Sequence, residues 1–295
     1  MTALSYESEQ PAAAAVVRPG LLRETLRRHP TAVLGGVLLV LVIGAAVLAP
    51  WLGTVDPEAL NPIRRLRPPN LENWFGTDSV GRDIYSRVLY GTRVSLIVGF
   101  SVAVASTAVG LVIGLVAGFS RIVDGIVMRV MDGLMSIPPV LLAIALMALT
   151  KASIENVIIA ITIAEVPRVS RLVRSLGLTL REQPFVEAAR ACGTRPWRIL
   201  VRRILPNTVA PLIVQATYVC ASAIIVEAIL SFLGAGTPPT VPSWGNIIAE
   251  GRMLFLVAAY MILIPSVFLS VTVLAINLVG DGLRDALDPR LARAL

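Results

Sequence analysis

The sequence predicts an all-α integral membrane protein of six transmembrane helices with both termini cytoplasmic. Three observations carry this. Hydrophobic residues make up 56% of the 295 positions and charged residues 15%, with a mean hydropathy of +0.78, an apolar share far above that of a soluble domain. The apolar residues gather into stretches near the ~20 residues that a bilayer-crossing helix needs. The basic residues are distributed unevenly. With both termini inside, the cytoplasmic parts hold eighteen Lys and Arg residues and the outer parts eight, which is the bias that orients membrane spans.

Residues 1–30 read as a cytoplasmic tail. Its Ala/Pro/Ser/Glu-rich start is disordered in composition and too polar to be a signal peptide. Gly20 to His29 can form a short basic amphipathic helix with Leu21, Leu22 and Leu26 on one side, suited to the membrane surface. The first span is 31–52. Residues 53–93 form a polar, proline-rich outer loop in which Asp78, Arg82 and Asp83 are a compact charge group expected to hold the loop together. Gly76 and Gly81 are its turn positions, and Tyr85 and Tyr90 suit the interface.

Residues 94–280 supply five further spans. The second, Val94 to Phe119, carries Gly110, Gly114 and Gly118 four apart, a stripe that lets two helix backbones approach closely. It is read as demanding a close neighbour, as in half of a pathway. Arg129 and Asp132, three apart, are expected to pair ahead of a third span broken at Ile137-Pro138-Pro139. The fourth span, Ile154 to Val173, is the weakest, with Glu165, Pro167 and Arg168 near one end. The fifth is Thr208 to Gly236, with Gln215 and Glu227. A Pro/Gly loop with Trp244 (Thr237 to Arg252) precedes the sixth, Met253 to Gly280, and a charged cytoplasmic tail, 281–295.

The chain is organised around the polar loop of about 168–206. From Arg168 to Arg203 it contains nine arginines against Glu182 and Glu187, so it alone accounts for the net charge of +7. A basic loop between spans is a topological signal, and no nucleic-acid partner is implied. Its second half reads as two short helices. Pro184 suits a first helical turn, and Glu187 favours the positive end of the helix dipole. Ala188, Ala189, Ala191 and Cys192 make a small surface, and Gly193 fits a left-handed stop. Thr194 can cap a second helix with Pro196 in its first turn. Trp197, Leu200, Val201 and Ile204 would form its apolar stripe, Arg195, Arg198 and Arg202 another face, and Pro206 its end. A small-residue helix on an amphipathic base is a docking element.

Several chemistries are excluded. Cys192 and Cys220 form no disulfide framework, and the single histidine, His29, rules out a histidine metal cluster. There is no phosphate loop; the only lysine, Lys151, lacks the glycines, so ATP is not bound by that route. Glu165 and Glu227 keep open a stand-alone, ion-coupled secondary carrier, because intramembrane carboxylates tend to be functional. Their places near span ends, where a carboxylate costs less, weigh against it.

Glu187-Ala188-Ala189, then Gly193, then Ile204-Leu205-Pro206, resemble the EAA loop of permease subunits of bacterial ATP-binding-cassette (ABC) importers, although the usual form places one residue between the Ile and Leu-Pro. Phe75 to Leu96 and the ending Leu283-Arg-Asp-Ala-Leu-Asp-Pro-Arg290 resemble the C-type permease of the dipeptide, oligopeptide and nickel group. The resemblance implies a translocation subunit without catalytic residues in the bacterial inner membrane, importing peptides or similar solutes. Its ATPase-coupling residues would be Glu187, Ala188, Ala189, Gly193 and Arg195. Its partners would be a second permease chain, two ATPase subunits and an extracytoplasmic substrate-binding protein. No cofactor is expected on this chain; ATP with magnesium would sit on the partners.

Overall fold

Two long helices lie at the centre, α2 (Ile84–Phe119) and α5 (Ile154–Arg181), and they share the most extensive helix–helix interface in the molecule. The glycine stripe is the reason. A β-carbon on Gly110 would sit 2.6 Å from the Val169 side chain, and one on Gly114 would sit 2.6 Å from both Val173 and the Ser170 carbonyl. The close neighbour that the stripe demands is therefore a helix of the same chain, and the glycines say nothing about a second subunit.

The computed structural model describes residues 30–119 and 121–287; the tail and its amphipathic helix fall outside these. The first helix, α1, is Pro30–Leu48, extended by a 3-10 turn, Ala49–Trp51. After α2 come α3 (Arg121–Met135) and α4 (Pro139–Ala148), bent by 89° at the Pro138-Pro139 break. Beyond α5 lie the short helices α6 (Pro184–Ala191) and α7 (Pro196–Ile199), then α8 (Leu205–Phe232), α9 (Trp244–Gly251) and α10 (Tyr260–Leu287). Among the described residues, four helical stretches are long and apolar enough to cross a bilayer, or five if the bent pair is one span; α5 is too charged to qualify.

The core joins α2, α4, α5 and α8 through Val98, Val102, Ala143, Ile161, Val173, Val219 and Leu230. Within a bilayer the lipid tails are as apolar as these side chains, so close van der Waals packing, not removal from water, is what this core contributes. A second cluster, Ile84, Val88, Ile224, Trp244, Ile247 and Met261, packs the start of α2 under α9 and α10.

Several boundaries move. The second helix begins at Ile84, ten residues before Val94, because Asp83 caps it: its Oδ2 accepts from the Ser86 N–H at 2.8 Å. The Thr237–Arg252 segment contains a helix, α9, capped by Ser243, whose Oγ accepts from the Asn246 N–H. The sixth apolar helix starts at Tyr260 and runs on through Gly280 to Leu287. Asp132 pairs with Arg171 on α5 at 2.5 Å instead of with Arg129, since α3 lies across α5 and brings an exposed guanidinium closer than its own neighbour.

Candidate functional site

The arginine-rich loop folds as a two-helix element at one end of the bundle. Pro184 occupies the first turn of α6, with Gln183 as its N-cap and Glu187 in the same turn. After Ala191 the chain closes a Schellman turn: the Gly193 N–H donates to the Arg190 carbonyl (2.9 Å) and the Thr194 N–H to the Ala189 carbonyl (3.0 Å). Gly193 has φ +71°, and nothing lies within 4 Å of where its β-carbon would be. Glycine is there for backbone conformation, not for space.

The second helix departs from the sequence reading in three respects. Arg195, not Thr194, is the N-cap of α7, and no side-chain hydrogen bond supports it. A π-type turn, Leu200–Ile204, follows, in which the Leu205 N–H reaches back to the Leu200 carbonyl. Pro206 therefore does not end the helix; it lies in the first turn of α8, and one rod runs from Pro196 to Phe232. The proline ring would strike the carbonyl four residues back in a regular helix, and the wider turn admits it. The same turn rotates the apolar face: Ile199 and Ile204, five apart, are buried with Val186, whereas Trp197 and Val201 are 55% and 49% exposed. The expected stripe of Trp197, Leu200, Val201 and Ile204 does not form.

The result is a two-sided element. Its underside is pinned by Val186, Ile199 and Ile204 against Leu115 of α2 and Leu180 of α5, with Ala189 half-buried at the edge. Its outer side exposes Glu187, Ala188, Gly193 and Arg195. Beside Ala188 a groove of about 470 Å³ is lined by Phe185, Cys192, Arg198, Arg202 and Arg203. All five residues singled out from sequence thus share one continuous element, four of them exposed.

The carboxylates of the carrier reading lie elsewhere, and neither is in a cheap, hydrated position. Glu165 sits in the middle of α5, 1% exposed, accepting from Ser222 Oγ of α8 at 3.1 Å and meeting the Arg168 guanidinium at 3.1 Å. Glu227, near the far end of α8, is fully buried and accepts from Ser231 Oγ (2.9 Å) and Ser95 Oγ (3.4 Å). Among the described residues no group of three or more His, Cys, Asp or Glu side chains could hold a metal.

At the opposite end of the bundle the 53–83 segment is locked to α9 by a buried charge cluster that sequence reasoning only half anticipated. Asp78 and Arg82 were expected; Arg87 and Glu250 were not. Arg87, 1% exposed, donates to Asp78 (2.7 Å) and to both Glu250 oxygens (2.6 and 2.9 Å), and Arg82 bridges the same two acids. Burial alone would lower the Arg82 pKa, but the Asp78 hydrogen bond and the Glu250 charge carry it above its ordinary value. Asp83 belongs to a separate knot with Asn73 and Ser86. Tyr85 meets Phe75 edge-on and Trp74 at a tilt, and Tyr90 lies beneath the Arg93 guanidinium. Gly76 and Gly81 take φ +79° and +83°, as turn positions should.

Among the described residues the chain is a helical bundle with an exposed two-helix element at one end, and comparison with known proteins says which family has this form. The chain belongs to the family of binding-protein-dependent transport system inner membrane components, which matches residues 110–293; the N-terminal transmembrane domain of oligopeptide transport permease C matches residues 21–69. It is a multi-pass protein of the bacterial inner membrane, in the peptide/oligopeptide permease group of ABC importers. It is 54% identical over 267 residues to a probable peptide ABC transporter permease of Sinorhizobium fredii, covering 90% of this chain and 91% of that one. It is 41% identical to a dipeptide transport system permease of Alkalihalophilus pseudofirmus, covering 90% and 88%. Its fold is similar to the inward-facing methionine ABC transporter MetNI, with TM-score 0.57 and 21% identity, over 70% of this chain and 95% of that chain. Family membership favours the importer over the stand-alone carrier.

Proposed function

We propose that this chain forms one half of the membrane path of an ATP-driven importer of peptides or related small solutes, and that α6 and α7 are the surface gripped by its ATPase. The observation that carries the reading is the two-sidedness of that element: a pinned apolar underside, and an outer face whose side chains at Ala188 and Gly193 are too small to obstruct a cleft. Closure of the ATPase pair would push on this face, and the continuous Pro196–Phe232 rod would carry the push through the bundle. Glu187 and Arg195 offer the exposed charges for pairing at the cleft wall.

The assembly on this reading holds a second permease chain, two ATPase subunits that bind ATP and magnesium, and an extracytoplasmic binding protein that selects the solute. The relatives' names, which specify peptides and dipeptides, support that substrate class. Six spans with both termini inside follow if the bent α3–α4 pair and the charged α5 each cross. At 1.5 Å per residue, the 28 residues of α5 reach ~42 Å against a ~30 Å core. The excess of arginine at the α6–α7 end supports the orientation. Hydrolysis then belongs to the partners and not to this chain.

Ala188→Glu tests the docking role. Membrane abundance should be unchanged, while co-purification of the ATPase subunits and substrate-stimulated ATP hydrolysis are lost; wild-type association and uptake would refute it. For orientation, an impermeant thiol reagent should label Cys192 in inverted vesicles and not in intact cells, in a Cys220→Ala background. Labelling in whole cells alone would reverse the topology.

A further inference from the structure

We propose that one face of α5 lines the translocation path, and that Arg168 on it contacts the carboxylate of a passing zwitterionic solute such as a short peptide. The substrate part rests on the function proposed above; the path-lining part does not. Exposed positions on α5 recur at helical spacing, Ile159, Ile163, Arg168 and Arg171, the two arginine side chains being 48% and 50% exposed. Val169, beside Arg168, packs against Gly110, sixteen residues into the apolar run of α2 that begins at Val94. At 1.5 Å per residue this places Arg168 ~24 Å along a ~30 Å hydrocarbon core. A guanidinium ~6 Å inside the α6–α7 boundary reaches water by extending along its stem, and the carboxylates beside it keep that face wet.

Two features favour an aqueous wall that reads both charges. The face is of mixed sign: Arg168 adjoins Glu165, and Arg171 pairs with Asp132 of α3. Anionic lipid would be repelled by those carboxylates, whereas a zwitterion meets a complement for each end. Moreover, Glu165 Oε2 is buried and makes no hydrogen bond, only its 3.1 Å ion contact with Arg168. Among the described residues Arg168 is its one charged partner, and a guanidinium, with five N–H donors, has donors left for a second carboxylate. Pro167, lacking an N–H, leaves the Ile163 carbonyl without its helical donor on the same face.

The test uses cells expressing the chain with its partner subunits, in a Cys192→Ser, Cys220→Ala background. Ile163→Cys and Arg171→Cys should react with a charged methanethiosulfonate reagent, while Val112→Cys and Val116→Cys on the exposed apolar face of α2 should not. Unreactive α5 thiols would overturn the path assignment. Uptake of trialanine is then compared with that of its C-terminal amide. Arg168→Gln should lower trialanine uptake about tenfold, as loss of a charged hydrogen bond predicts, and leave amide uptake within about twofold, with Arg168→Lys restoring most of the loss. Equal loss for both peptides would overturn the carboxylate contact. If wild-type cells take up no trialanine, the peptide reading and the carboxylate contact fall together, and the thiol result still decides the wall.

Discussion

The two ends of the bundle are built on opposite principles. At the cap end, Asp78, Arg82, Arg87 and Glu250 satisfy one another in a buried network, and Trp244 is wholly enclosed with its indole N–H on the Val88 carbonyl. At the α6–α7 end, the charges point outward and three aliphatic side chains hold the element down. The cap is finished within the chain. The other end leaves its charged side chains exposed. On the proposed function, stability and partner contact would be carried by different residues, and substitutions should separate the two.

The largest effect is expected at the cap. Arg87→Ala leaves Asp78 and Glu250 facing each other with only Arg82 between them, and breaking such a buried pair costs about 3–5 kcal/mol. Membrane abundance of the variant should fall sharply and its thermal midpoint in detergent should drop; a midpoint equal to wild type would mean that the cluster is not structural. Next comes Gly114→Val between the ends. Its new side chain meets the Ser170 carbonyl and Val173, and overpacking of this kind costs about 1–3 kcal/mol. Unchanged thermal stability would show that α2 and α5 separate freely.

A smaller effect is expected of Gly193→Ala. There is room for the methyl group, but the left-handed backbone costs a non-glycine residue about 1–2 kcal/mol. A loss comparable to that of Arg87→Ala would show that the turn, too, is a keystone. The smallest effect on stability belongs to Ala188→Glu, within ~0.5 kcal/mol as for other exposed positions, although its effect on partner binding should be the greatest of the four. Ala189 is a poorer probe, since it is half-buried against the underside and a charge there would disturb packing as well.

How much of this was legible in the sequence follows from the range of each interaction. The Gly193 stop, the Pro184 start and the small face of α6 depend on neighbours within one or two turns, and they stand where local rules put them. The break at Pro138-Pro139 was legible for the same reason. Glu250 lies 163 residues from Arg87, and no local pattern announces that pairing. Asp132 misled because helical spacing offered Arg129, while the crossing of α3 over α5 offered Arg171. The burial of Glu165 was not legible, because a span read as entering the cytoplasm near Arg168 put it beside water, whereas the helix continues to Arg181 and α8 covers it.

The π-type turn at Leu200–Ile204 has a further consequence. It holds one residue more than a regular helical turn, and each residue of an α-helix advances its face by ~100°. The α6–α7 element and the α8 part of the rod are thus set out of phase by that angle, as two gears would be by one tooth. Deleting a single residue from this turn would leave composition and length nearly untouched while swinging Ala188 and its groove round to a different bearing on the bundle. Such a variant would insert with its spans intact and present the right surface in the wrong direction.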